Sequence, residues 1–105
     1  MAESEARRTR ERLIIRDDSR PVLPRFVRLH EDRVRGRWVL LAPERIVEPD
    51  EVAIEVLRLC DGRRTLGQIA DELAASYDAP SAEIFRDIVA LLQDLADKGY
   101  IRDNA

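Results

Sequence analysis

The sequence predicts a winged-helix-like α+β domain in which a three-stranded antiparallel sheet is followed by three α-helices. Three observations lead there. Apolar residues alternate between Arg25 and Glu48, they recur at helical spacing between Asp50 and Gly99, and each change of pattern carries a proline, a glycine or a capping side chain.

In the first strand Phe26, Arg28 and His30 fall on one side and Val27 and Leu29 on the other. Glu31-Asp32 is expected to turn the chain, and Val34 to Leu41 returns as the second strand. Its Trp38-Val39-Leu40-Leu41 run has the aromatic and β-branched content of a buried strand. Ala42-Pro43-Glu44 stops it, and Arg45 to Glu48 forms a short third strand. Antiparallel strands joined by short turns leave that third strand at an edge.

The first helix spans roughly residues 50 to 60. Pro49 precedes its first turn, Asp50 and Glu51 suit the positive end of its dipole, and Asp61-Gly62 stops it. The second helix, roughly 66 to 77, opens on Thr65-Leu66-Gly67-Gln68. There the Thr65 hydroxyl and the Gln68 amide can each satisfy the other's backbone donor. Pro80-Ser81 opens the third and longest helix, which runs to Gly99. It carries two apolar rows, Ile84, Ile88, Leu91 and Leu95 beside Phe85, Val89, Leu92 and Ala96. One row can face the core; the other needs a partner.

Residues 1 to 23 are charge-rich and broken at Ser19, Pro21 and Pro24, with Leu13-Ile14-Ile15 as their single apolar island. They are expected to form a flexible charged arm, with at most a short frayed helix over Glu5 to Ile15, ahead of a domain covering residues 24 to 105.

Composition narrows the function. A chain of 105 residues holds one modest core and leaves little room for a deep enclosed catalytic cavity. Charged residues make up 37% and aromatics 5%, with a net charge of −3. The last helix sets Glu83, Asp87, Asp94 and Asp97 against Arg86 and Lys98, which argues against a recognition helix facing phosphates and so against a winged-helix DNA-binding domain. Cys60 is the sole cysteine, so no internal disulfide is available, and its place in a helical apolar stripe predicts a buried, inert thiol. His30 has no second His or nearby Cys with which to share a metal, so neither a metal nor another cofactor is assigned. Ser19, Ser76 and Ser81 lie in no nucleophile motif. No enzymatic activity is expected. Trp38 is expected to anchor the sheet to the helices. The opening MAESEARRTRERLIIRDDSR lacks the apolar block and small-residue cleavage site of a secretory signal, and no run approaches a membrane span. A cytoplasmic location is expected.

WVLLAPERIVEPDE, then LRLCDGRRTLGQIADELAASY, then a last helix closing on LADKGYI resemble the PqqD family, small peptide-recognition proteins of pyrroloquinoline quinone (PQQ) biosynthesis. The resemblance spans about residues 24 to 103 and rests most on Leu40-Leu41-Ala42-Pro43-Glu44 together with Cys60-Asp61-Gly62. Leu91 stands where the family pattern would lead one to expect an aromatic.

The resemblance implies a peptide chaperone without chemistry of its own. It would bind the precursor peptide PqqA as an added strand along the third strand, in a groove shared with the last helix. It would then present that peptide to PqqE, a radical S-adenosylmethionine enzyme. On this reading Arg45, Ile46, Val47 and Glu48 form the peptide-pairing edge, and Phe85, Val89 and Leu92 the pocket wall. The same residues have a structural alternative, in which Phe85, Val89 and Leu92 pack against the first helix or beneath the N-terminal arm. A monomer is expected. A homodimerisation module using the open strand edge is the main competing reading.

Overall fold

A computed structural model describes residues 12–104. The elements are β1 (Pro21–Val22), β2 (Arg28–Asp32), β3 (Arg37–Ala42), β4 (Arg45–Val47), α1 (Glu51–Leu59), α2 (Leu66–Tyr77), α3 (Ser81–Asp97) and β5 (Arg102–Asp103). Strands β2, β3 and β4 form an antiparallel sheet in that order, with β4 at an edge. The three helices follow, as the sequence predicts.

Local chemistry explains the helix limits. Asp50 caps α1 by accepting the Ala53 N–H at 2.8 Å. The capping box at α2 is present, with Thr65 Oγ1 accepting from Gln68 N at 3.2 Å and Gln68 Oε1 accepting from Thr65 N at 2.8 Å. Helix α3 ends on Gly99 at φ 83°, where the Gly99 N–H donates to Ala96 O at 3.0 Å and the Tyr100 N–H to Leu95 O at 2.8 Å. That pair of bonds is a Schellman closure, and it returns Tyr100 and Ile101 to the core.

Two sequence expectations are corrected. Strand β2 continues through Asp32, so Glu31-Asp32 is not the turn; residues 33 to 36 turn the chain instead. Asp32 Oδ1 accepts the Arg35 N–H at 3.2 Å, and Gly36 takes φ 68°, a conformation that only glycine adopts without steric cost.

The second correction concerns the expected flexible arm. Residues 1 to 11, with most of the helix considered there, lie outside the described residues, but residues 12 to 23 belong to the fold. Ile15 is buried, its N–H donates to Gln93 Oε1 at 2.8 Å, and Gln93 Nε2 donates to Leu13 O at 2.8 Å. Arg12 closes this strap with two bonds to the Asp97 carboxylate, both 2.8 Å. No helix forms over residues 12 to 15. The guanidinium of Arg12, followed by the Gln93 amide, holds the Asp97 carboxyl below its ordinary range.

Farther along, β1 pairs antiparallel with β5, and the turn after α1 joins both. The Gly62 N–H donates to Pro21 O at 3.0 Å, and the Asn104 side-chain amide donates to Gly62 O at 3.0 Å. Gly62 sits at φ 77°, where a Cβ would lie 2.9 Å from Asn104 Nδ2. The glycine read as a helix stop is thus also the point where the two ends of the domain meet.

The core lies between the sheet and the three helices. Leu40, Val56, Leu66, Ile69, Ile88 and Leu92 are among its largest fully enclosed side chains. Leu29, Leu40 and Val47 stand in register on the helix side of the sheet, while Val39, Leu41 and Ile46 occupy the other face. Trp38 ties β3 to α1, with the Arg58 guanidinium 4.4 Å from its ring centre, in keeping with its expected structural role. Among the described residues no helix is long and apolar enough to cross a membrane.

Candidate peptide-binding groove

Strand β4 has a sheet partner on one side only. Its backbone orientation follows from the two residues, Pro43 and Glu44, that join it to β3. Proline at the first position and a left-handed Glu44 at φ 59° mark a type II turn. A two-residue connection makes Ala42 and Arg45 a hydrogen-bonded pair. Antiparallel alternation then makes Leu40 and Val47 the next such pair and directs the N–H and C=O of Ile46 toward the open edge.

Beside that edge lies a cavity of about 450 Å³ between β4, α1 and α3. Arg45, Val47 and Glu48 line one wall, and Leu91, Asp94, Leu95 and Lys98 of α3 the other. Ala53, Leu57 and Tyr100 contribute to its lining. The cavity is thus apolar at depth and charged at its rim. Glu48 pairs with Arg37, and the Lys98 ammonium lies 2.9 Å from the Asp94 carboxylate.

The strand half of the predicted site comes together here: Arg45, Ile46, Val47 and Glu48 all border the cavity. The helix half does not. Leu92 has no exposed surface and belongs to the core. Phe85 and Val89 pack partly buried against the core and do not border the cavity. The reason is the rotation of α3. Its deepest seam is Ile88, Leu92 and Leu95, which takes members from both predicted rows. The flank carrying Val89, Gln93 and Ala96 faces the strap at residues 12 to 15, the alternative considered for that row, and the opposite flank puts Leu91, Asp94 and Lys98 at the groove. These last three line the groove and are not among the residues the sequence reading assigned. Their shared spacing of three and four residues was the available signal, since Leu91 begins a stripe that turns polar at Asp94 and Lys98.

Cys60 is buried, its thiol lies 3.2 Å from Val56 O, and burial together with the neighbouring Asp61 carboxylate pushes its pKa up to about 12. At pH 8 the thiolate is scarce and shielded, so iodoacetamide should label the native chain far more slowly than the chain in denaturant. Mass spectrometry at matched times checks this; equal rates would place the thiol at the surface. Among the described residues no group of three or more His, Cys, Asp or Glu side chains could hold a metal ion.

An edge strand facing a helix across an apolar groove defines a small α+β peptide-recognition domain. The chain is similar to the solution structure of the PqqD portion of Methylobacterium extorquens PqqCD, described as a stand-alone RiPP recognition element, that is, one acting on ribosomally synthesised and post-translationally modified peptides. The TM-score is 0.68 at 50% identity, over 78% of this chain and 87% of that one. It is also similar to the crystal structure of PqqD from Xanthomonas campestris, with TM-score 0.54 and 48% identity over 84% and 98% of the two chains. Residues 37–101 match the family described as Coenzyme PQQ synthesis protein D (PqqD). A relative from Rhodopseudomonas palustris strain TIE-1 named PqqA binding protein is 56% identical over 92 residues, 88% of this chain and 90% of its own. One of the same name from Bradyrhizobium diazoefficiens is 53% identical over 89 residues, 85% and 86% of the two. The chain belongs to the PqqD family.

Proposed function

We propose that this chain binds the precursor peptide PqqA by strand addition along β4 and presents it to the radical S-adenosylmethionine enzyme PqqE, acting as a peptide chaperone without catalysis of its own. The observation that carries the reading is the open Ile46 backbone beside a preformed apolar groove. Main-chain hydrogen bonds to an edge supply affinity that is indifferent to sequence, and the pockets beside it supply the selectivity. The relatives' name, PqqA binding protein, supports the choice of ligand.

The shape of β4 fits a guarded site. It is three residues long and flanked by charge at Arg45 and Glu48, which discourages indiscriminate pairing with other edges. The site residues proposed are Arg45, Ile46, Val47 and Glu48 on the strand, with Leu91, Asp94 and Lys98 on α3.

A titration of the amide-labelled chain with PqqA tests this. Resonances of Arg45 to Glu48 should shift together with those of Leu91 to Lys98, while Gln68 to Leu73 of α2 stay in place. Shifts clustered on α2 would place the peptide elsewhere. Pairing of β4 with a second copy of the chain is the competing use of the edge; sedimentation of the free chain at two concentrations separates it, since the peptide-binding reading expects a monomer at both.

A further inference from the structure

The groove has length and polarity as well as an edge. Asp50, Ala53 and Leu91 border both the cavity beside β4 and a second cavity of about 320 Å³ that reaches Asp87. Since Asp50 shares a cavity with Asp87 and Arg45 does not, the stretch from Arg45 to Asp50 runs opposite to the stretch from Asp87 to Lys98. Five extended steps at about 3.3 Å give roughly 17 Å for the first. Eleven helical steps at about 1.5 Å give roughly 16 Å for the second. The two walls match, and between them an extended segment of about six residues fits.

The charges along this groove divide into occupied and free. Glu48 is held by Arg37, Asp94 by Lys98, and the Asp50 carboxylate caps α1. The side chains of Arg45 and Asp87 make no hydrogen bond or ion pair among the described residues, and both residues are exposed. They stand at opposite ends, separated by about twice the ~8 Å screening length of physiological salt, so each acts on the nearest ligand charge almost independently.

We infer that the groove reads direction through this pair. A bound segment carries an acidic side chain at the Arg45 end and a basic side chain four residues away at the Asp87 end, so that both fall on the same face of the added strand and their long side chains span the rest of the groove. Addition antiparallel to β4 runs the segment from the Asp87 end to the Arg45 end, so its basic residue comes first and its acidic residue last. This inference rests on the groove being the peptide site, as proposed above.

The probes are two capped six-residue peptides with the same β-forming apolar centre, one with lysine at the second position and glutamate at the sixth, the other with these two exchanged, so that both charges share one face. Amide shifts of the full chain report both place and affinity. The peptide with lysine ahead of glutamate should bind at least about threefold more tightly, the scale that two exposed charge contacts allow, and the double variant Arg45→Glu with Asp87→Lys should invert the preference. Both substitutions are at the surface, so the variant keeps its fold, which its amide spectrum verifies. Equal affinity of the two peptides in the groove, or a preference that survives the double variant, overturns the directional inference and leaves the groove as the peptide site. Absence of groove shifts with either probe, in a chain whose groove does shift with PqqA, also overturns it, and absence with PqqA as well removes the peptide site itself.

Discussion

Leu92→Ala is expected to lower the stability of the domain by roughly 2 to 5 kcal/mol, through lost burial and the cavity left in a core that closes over it completely. For a domain whose total stability is on the order of 5 to 15 kcal/mol, that is a large fraction. Leu91→Ala removes the same atoms one position earlier on α3, from a half-buried side chain at the groove. It should cost less stability and should weaken peptide binding by about 1 to 2 kcal/mol, as loss of an interface anchor does. Denaturant melts and peptide titrations run on the two variants together read both effects. If Leu91→Ala proved the more destabilising while binding peptide normally, the assignment of α3 faces given above would be inverted.

The same pair of residues shows what the sequence could and could not disclose. The strands, the helix limits and the edge position of β4 were legible because each rests on local chemistry: alternation through Arg28 to Ala42, the Asp50 cap, the Thr65 and Gln68 capping box, the glycine stop at Gly99. The rotation of α3 was not. Eight apolar residues in two adjacent rows fit more than one rotation, and what selects among them is the strap from Arg12 to Ile15, some eighty positions away in sequence. Nothing local marks Gln93 as the residue that will hold two backbone groups of that strap. For the same reason the predicted strand residues border the groove, whereas on the helix Leu91, Asp94 and Lys98 line it and the predicted Phe85, Val89 and Leu92 do not. The short β1 and β5 went unread because two-residue strands carry no periodicity, and their pairing depends on the two ends of the domain meeting at Gly62.

Proline at Ile46 should weaken peptide binding while leaving the domain folded, and proline at Val47 should damage the fold. The difference follows from backbone direction. Ile46 directs its N–H away from β3, so proline there removes a donor that only an added strand would use; its side chain is 70% exposed, so little packing is lost. Val47 is hydrogen-bonded to Leu40 and half-buried, so proline there deletes a bond of the sheet itself and disturbs the groove wall. Ile46→Pro leaves a peptide carbonyl without its partner, and the expected loss of affinity is about 1 to 3 kcal/mol. Each 1.4 kcal/mol corresponds to about a factor of ten in Kd, well within the range of calorimetry. Ile46→Ala serves as the control, since it removes side-chain atoms from the outer face but keeps the N–H, and it should bind more tightly than Ile46→Pro. A folded Ile46→Pro chain with unchanged affinity would mean that the peptide does not pair with β4, whatever else in the groove it touches.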